Sequence, residues 1–347
     1  MPPRHHLYHA DAGASSMAYH IKLGSVDADQ SLAAENFAIP ALDHLSDILP
    51  GLDLACHVLR EAADLRTGLL LIGPKAAGKT TAIDRAIRLF REEEQRKLQE
   101  MPEQYRERRV LYTHGLAAKS ARELLVALLK HVSPGLRERQ HGSRKSDDQL
   151  REELVHGLLN KGYAVLVLDE AEYLVEHGFD TLRKIMADAA TADPRRVIAD
   201  GNAEGYRAAG VGIVLVGTDK VADLVRQNAD AGLRWSACHQ VPLLPPDAAG
   251  SVYRAIFPGF ERHIATVGED AWAEFMATHV TRGRAMPIGV LAMHARRYFT
   301  LLSDASLGTA EEFRTREATP FAREVFLATL TMTEWPQEIA AQRRRNG

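Results

Sequence analysis

The sequence predicts an α/β fold: an open parallel sheet of five strands lying between helices, followed by a small all-α lid. Three observations carry this prediction. Short apolar runs of strand length recur between amphipathic helical stretches, which is the signature of a parallel sheet covered on both faces. A glycine-rich stretch, Gly73–Thr80, joins the first of these runs to a helix. After Pro245-Pro246 the strand signals stop and only helical patterns remain.

The bulk properties are those of an ordinary globular chain. The 347 residues correspond to about two domains, with 46% hydrophobic and 26% charged residues. The longest aliphatic runs, such as Ala164–Leu168, fall far short of the ~20 residues that span a bilayer, so no membrane partner is expected. Two cysteines, Cys56 and Cys238, exclude a disulfide framework and a Cys-based zinc module and point to a reducing, cytoplasmic location. Lys and Arg number 43 against 46 Asp and Glu, a net charge of −3, so any nucleic-acid surface must be local.

Residues 1–36 lack a sustained apolar period and read as a flexible tail. Its His5, His6 and His9 have no nearby carboxylate or cysteine to complete a metal site. A helical pattern runs over 37–66, interrupted by Pro50-Gly51. The spacing then predicts strands at Gly68–Ile72, Val110–Thr113, Tyr163–Leu168 and Gly212–Val216. A fifth at His239–Leu243 is assigned to an edge because Pro242 cannot donate to a ladder. Helices are expected from Lys79 to Gln95 or beyond, near Ser120–His131, near Asp148–Lys161 and over Ala171–Ala189. Residues 190–210 form a long polar connection. The domains follow: 1–36 tail, 37–245 α/β core, 246–303 helical lid, with helices near 247–256, 270–279 and 288–302, and 304–347 a last helix with a basic end at Arg343–Arg345.

The stretch Gly73-Pro74-Lys75-Ala76-Ala77-Gly78-Lys79-Thr80 fits G-x-x-x-x-G-K-[ST], and Thr81 follows it into the helix. Strand before and helix after are the context this motif requires. Its glycines let successive backbone N–H groups turn inward on phosphate oxygens, and the helix N-terminus adds partial positive charge. Lys79 is then the group for the β- and γ-phosphates, and the Thr80 hydroxyl a ligand for Mg²⁺. ATP and Mg²⁺ are the cofactors this implies. Asp169 and Glu170 end the third strand, an Mg²⁺ holder followed by a carboxylate that polarises water. The competing reading is an acid pair capping the next helix. A carboxylate beside the nucleotide favours hydrolysis over transfer to a bound acceptor. Thr218 ends the fourth strand, either between γ-phosphate and water or as an ordinary turn cap. Arg234 precedes the fifth strand and faces either the nucleotide of a neighbouring subunit or the ring of Trp235.

Together the phosphate loop, the Asp169-Glu170 pair, Gly217-Thr218, the late Arg234 and the helical lid resemble an AAA+ ATPase. The wording of residues 169–174, 213–218 and 233–235 resembles the TnsC/TniB/MuB type of ATP-dependent transposition regulators, relatives of the origin-recognition initiators. Two helices between the second and third strands fit the same group. The resemblance spans residues 45–300. It implies Glu170 as catalytic base, Thr218 as first sensor and Arg234 as an arginine finger acting across a subunit boundary. It also implies self-assembly into a ring or helical filament on duplex DNA and a transposase or targeting protein as partner. The chain departs from the initiator pattern where the lid's sensor arginine falls. That position is Met286, with Arg282 and Arg284 one turn off. The connection at 190–210 is also longer than is usual for the group.

DNA contact is expected from Lys119 and Arg122 at the start of the helix after the second strand, and from Arg144 and Lys145 in the next loop. The alternative is a solvated charged loop, since acids are interspersed. A core of this kind also serves replication-initiator-like loaders, phage-defence ATPases and signalling ATPases that act on proteins without DNA.

Overall fold

The computed structural model describes residues 48–103, 105–115, 118–133, 145–174, 176–192, 210–227, 235–256 and 268–295. The expectations for the tail with its histidines, the 193–209 part of the long connection, Arg144, Arg234 and the segment from 296 onward lie outside these residues.

Helix α1 (Leu52–Leu65) leads into strand β1 (Gly68–Ile72), followed by α2 (Lys79–Glu100) and β2 (Arg109–His114). Helices α3 (Ala121–Val132) and α4 (Asp147–Asn160) precede β3 (Tyr163–Asp169). Then come a 3₁₀ turn (Ala171–Tyr173), α5 (Glu176–Thr191), β4 (Gly212–Gly217), α6 (Asp219–Gln227) and β5 (Trp235–Gln240). The strands form one parallel sheet in the order β2-β3-β4-β1-β5.

The two faces of the sheet follow the period-2 alternation of the strands. Leu70, Ile72, Leu166, Leu168, Ile213 and Leu215 pack with α3, α4, α5 and α6. Their neighbours Leu69, Leu71, Val165, Val167, Val214 and Val216 pack with α1 and α2. Register keeps each set together, with Leu70 beside Leu215 and Leu166 beside Ile213. Both faces being covered is why these strands read as continuous apolar runs.

Helix α1 buries Ala55, Val58, Leu59, Ala62 and Ala63, a single stripe at helical spacing. It stops where Arg66 turns left-handed at φ 54° and donates its N–H to Ala62 O. The helix lies so close to β4 that a Cβ on Gly212 would sit 2.1 Å from Ala62 O. At its far end α2 carries Glu94, which is fully buried and accepts from Arg108 through the backbone N at 3.0 Å and Nη2 at 2.8 Å, and from the Tyr105 hydroxyl. Arg108 also pairs with Asp64 of α1, so this network ties α1, α2 and the approach to β2 together.

Three elements differ from the sequence expectation. Strand β5 is Trp235–Gln240, earlier than His239–Leu243, and it does lie at an edge. Its pairing with β1 begins at Gly68, whose missing side chain leaves room for the Trp235 ring: a Cβ there would meet Cε3 at 2.5 Å. The helix expected over Ala171–Ala189 is split, because Glu170 is left-handed (φ 56°) and Leu174 is extended (φ −71°, ψ 134°). Beyond Pro245 the described residues of the lid form a 3₁₀ turn (Pro246–Ala248), α7 (Ala249–Ile256), α8 (Glu269–Phe275) running into a π turn (Met276–Thr281), and α9 over 288–295. Among the described residues the region also holds a strand-like contact, an antiparallel bridge in which Leu244 and Met286 exchange N–H···O bonds of 2.9 and 2.8 Å. Leu49, Leu244, Val252, Tyr253, Trp272, Met286 and Leu291 form a separate core for the lid.

Candidate nucleotide-binding site

The carboxyl ends of β1, β3 and β4 lie side by side, and the loop after β1 wraps over them. In this loop Ala76 (φ 61°) and Gly78 (φ 85°) are left-handed, the conformation that curls a backbone around a small anion. Gly78 precedes the first helical residue of α2, and no side chain caps that helix. Its first turn carries no acid, so its exposed N–H groups and dipole are left available for a negative ligand. The lid closes on the loop directly. Gly289 N donates to Ala76 O at 2.8 Å, and a Cβ on Gly78 would lie 2.9 Å from Ile288 Cγ2 and 3.1 Å from Leu49 Cδ2.

Lys79 Nζ donates to the carbonyls of Gly73 (2.9 Å) and Pro74 (2.7 Å), which holds the ammonium across the mouth of the loop. Burial pushes its pKa down, and the carboxylates of Glu172, Asp169 and Asp219 oppose that effect. Thr80 Oγ1 donates to Asp169 Oδ2 at 2.7 Å. Asp169 is 4% exposed and is oriented from three further sides. The Tyr112 hydroxyl donates to Oδ2 at 3.0 Å, His114 Nδ1 lies 3.3 Å from the same oxygen, and the Glu170 N–H donates to Oδ1 at 2.9 Å. Burial, together with the Asp169 charge, raises the Tyr112 phenol well above its ordinary pKa, which keeps it a donor.

Glu170 is a non-glycine residue in the left-handed region, a strained conformation of the kind that concentrates at functional sites. Its carboxylate is half-exposed, and Oε2 lies 3.6 Å from His114 Nε2. Thr218 directly precedes α6, yet its Oγ1 is buried and makes no hydrogen bond among the described residues, so it does not act as a cap.

Among the described residues no group of three or more His, Cys, Asp or Glu side chains is arranged to hold a metal ion. One hydroxyl and one carboxylate, Thr80 and Asp169, are nevertheless a donor set that suits Mg²⁺, which keeps most of its shell as water and substrate phosphate oxygens.

The lid contributes no cation at the initiator-type sensor position, because Met286 is buried in the lid core. Arg282 and Arg284 are exposed on the turn between the π turn and α9. Of the expected DNA contacts, Lys119 is exposed. Arg122 pairs with Asp147 at 2.9 Å and donates to Lys145 O, and Lys145 pairs with Glu153 at 2.7 Å.

Sequence reasoning missed Tyr112, His114 and Glu172. Tyr112 and His114 are polar residues two apart at the end of an apolar strand, which places both on one face; that was the available signal. Glu172 is a third acid spaced two beyond Glu170.

Residues 63–225 match the family model described as the AAA domain. No curated protein shows a significant match to the sequence. Among solved structures, the ORC2 protein of Aeropyrum pernix in its ADP form is similar with a TM-score of 0.51 at 12% identity, over 82% of this chain and 67% of that one. The ADPNP–ADP complexes of the same protein give 0.49 at 13%, over 83% and 67%. Cdc6p of Pyrobaculum aerophilum gives 0.49 at 13%, over 76% and 63%. Residues 63–225 are thus similar to the AAA domain, and the five-stranded parallel sheet with its phosphate loop is an AAA+ fold like that of the Aeropyrum pernix ORC2 protein.

Proposed function

We propose that this protein binds ATP with Mg²⁺ and hydrolyses it to ADP and phosphate. The observation that carries this reading is the 2.7 Å contact between Thr80 Oγ1 and Asp169 Oδ2 at the mouth of the phosphate loop. Bound Mg²⁺ supplies charge that neutralises the β- and γ-phosphates, and Thr80 and Asp169 are the groups to hold it. Within the loop from Gly73 to Thr81, Lys75, Ala76, Gly78, Lys79, Thr80 and Thr81 supply N–H groups to the phosphates. Pro74 has none, and the N–H groups of Gly73 and Ala77 are held by Gly217 O and Pro74 O. Lys79 leaves its loop carbonyls for phosphate oxygens. Glu170 accepts the proton of the attacking water, and Thr218 supplies a hydroxyl to the γ-phosphate. Arg234 reaches the site of a neighbouring copy and stabilises the charge that develops there. The test is steady-state phosphate release by the native chain and by Lys79→Ala, with and without Mg²⁺. Turnover that persists in Lys79→Ala would overturn the reading.

We further propose that ATP drives self-assembly on duplex DNA, and that the assembly regulates transposition by matching a target to a transposase. The wording of residues 169–174, 213–218 and 233–235 supports this. Lys119, exposed beside the N-terminus of α3, is the described residue best suited to a phosphate backbone, with Arg144 beyond the described residues as a second. One observation favours another reading. Arg122 and Lys145 are engaged with Asp147 and Glu153, which lowers the charge available to DNA and suits a signalling ATPase acting on protein partners. Gel-shift titration with duplex DNA and a non-hydrolysable ATP analogue separates the two, since only the first requires binding.

A further inference from the structure

The lid reaches the phosphate loop through a backbone hydrogen bond. Gly289, the second residue of α9, donates its N–H to Ala76 O at 2.8 Å. The first N–H groups of a helix have no partner within it, so this donor suits an acceptor from elsewhere in the fold. The approach is as close as backbones allow. A Cβ on Gly289 would lie 2.8 Å from Ala76 O, 3.2 Å from Ala76 Cβ and 3.3 Å from Ala76 Cα. Gly289 itself lies outside the left-handed region, so it is this contact and not φ that asks for glycine.

The acceptor belongs to a strained residue. Ala76 is left-handed at φ 61°, where glycine is the ordinary occupant. Ala76 is also exposed, so burial of its methyl group does not hold it there. The peptide that follows is pinned at both ends. Its carbonyl is held by Gly289 of the lid, and its N–H, that of Ala77, donates to Pro74 O within the loop at 3.3 Å. Rotated by half a turn, this peptide would place its oxygen where the N–H now points, inside the loop. An oxygen there would repel phosphate.

Packed structure presents the Gly289 donor. Met286, three residues earlier, is bridged to Leu244, and Ile288 is buried in the lid core, its Cγ2 beside Gly78.

We propose that Gly289 is a positioning residue for the nucleotide site: its N–H holds the Ala76–Ala77 peptide in the orientation that leaves the loop open to phosphate. This rests on the nucleotide-binding reading above. The coupling is reciprocal, so bound nucleotide in turn holds the lid against the loop.

The test compares Gly289→Ala and the double variant Ala76→Gly with Gly289→Ala against the native chain and Lys79→Ala. Affinity is measured with a fluorescent ATP analogue without Mg²⁺, turnover across ATP concentrations, and folding by thermal unfolding. In Gly289→Ala the new Cβ drives the lid off Ala76 O. Affinity should fall about 10-fold, equivalent to about 1.4 kcal/mol, and KM should rise with it. The kcat at saturating ATP should stay close to native, because Asp169 and Glu170 are untouched. Glycine at position 76 adopts the left-handed turn without help from the lid, so the double variant should recover much of the lost affinity. A folded Gly289→Ala with native affinity overturns the proposal. So does a loss that the double variant does not recover, which would make Gly289 a packing residue of the lid alone. If Gly289→Ala does not fold, the native chain decides. Saturating analogue should slow hydrogen exchange at the Gly289 amide, and unchanged exchange overturns the proposal. In each case native binding that Lys79→Ala abolishes leaves the nucleotide reading standing, whereas a folded native chain that binds no analogue overturns both.

Discussion

Thr80 and Asp169 meet at 2.7 Å although 89 residues separate them, one in the first turn of α2 and the other at the end of β3. The parallel sheet makes this possible. β1 and β3 flank β4 and end at the same edge, so the loop after β1 opens over the acid that ends β3. The tyrosine and histidine of β2 reach the same carboxylate because His114 stands in register with Asp169. Four of the five strands therefore converge on one small volume.

Removing the Thr80 hydroxyl should affect Mg²⁺ before it affects nucleotide. Thr80→Ala keeps Lys79 and the backbone donors, so ADP without metal should bind about as well as to the native chain. The Mg²⁺ concentration needed for half-maximal turnover should rise roughly 10-fold or more, the scale set by losing about 1.4 kcal/mol. Titrating Mg²⁺ at saturating ATP checks this, and an unchanged Mg²⁺ requirement would falsify the assignment of Thr80.

Glu170 and Arg234 should complement each other in mixed assemblies. Glu170→Gln should retain ATP and hydrolyse slowly, and Arg234→Ala should lose about 10³–10⁵ in rate, as when an arginine finger is removed. Mixing the two variants rebuilds interfaces with Glu170 on one copy and Arg234 on the next. Activity should return as one variant is titrated into the other. Two folded variants with no recovery at any ratio would argue against a site shared between copies.

The contact of α1 with β4 should be intolerant of a single methyl group. In Gly212→Ala the new Cβ would meet Ala62 O at 2.1 Å and Ala62 C at 2.7 Å, both backbone atoms that move only if the helix moves. Overpacking of this kind costs about 1–3 kcal/mol. A lower Tm in thermal unfolding is expected, and a Tm equal to the native value would show that α1 shifts freely over the sheet.

The buried Glu94 should make stability depend on Arg108 in a pH-dependent way. Burial alone would raise the Glu94 carboxyl, but the bonds from Arg108 and Tyr105 outweigh it and hold the pKa below the ordinary value of 4.5. The native pair is therefore fully stabilising above pH 4.5 and is lost as pH falls through the depressed value. Arg108→Met leaves the carboxylate buried and loses its charged partner, a cost of about 3 kcal/mol at neutral pH. In that variant the carboxyl moves upward and protonates earlier in acid, so the gap in Tm should narrow as pH falls. A gap independent of pH would mean that Arg108 acts only by packing on the Phe90 ring, 5.5 Å from its guanidinium carbon.

Lys119 should carry part of any affinity for duplex DNA. If it neutralises one phosphate, Lys119→Ala should reduce the slope of log affinity against log salt by about 0.9. Gel shifts at several salt concentrations with an ATP analogue measure this, and an identical slope would remove Lys119 from the interface.

Sequence by itself determined the parts of this protein that local chemistry encodes. The phosphate loop needs glycine and lysine at fixed spacing, so Gly73–Thr80 is legible without a fold. Strands β1, β3 and β4 are legible because burial on both faces leaves an unbroken apolar run. Asp169 is legible as the polar residue that ends such a run. What only tertiary structure decided depends on register and on the conformation of single residues. The bounds of β5 follow from the space over Gly68 that Trp235 fills. The split of the helix after β3 follows from one left-handed residue, Glu170, which no propensity foretells. The same turn sends Glu170 toward His114 and Glu172 over the end of β4, although the two acids are nearly adjacent in the chain. Directions of this kind are set by the packing of five strands from distant parts of the chain, and a linear pattern does not carry them.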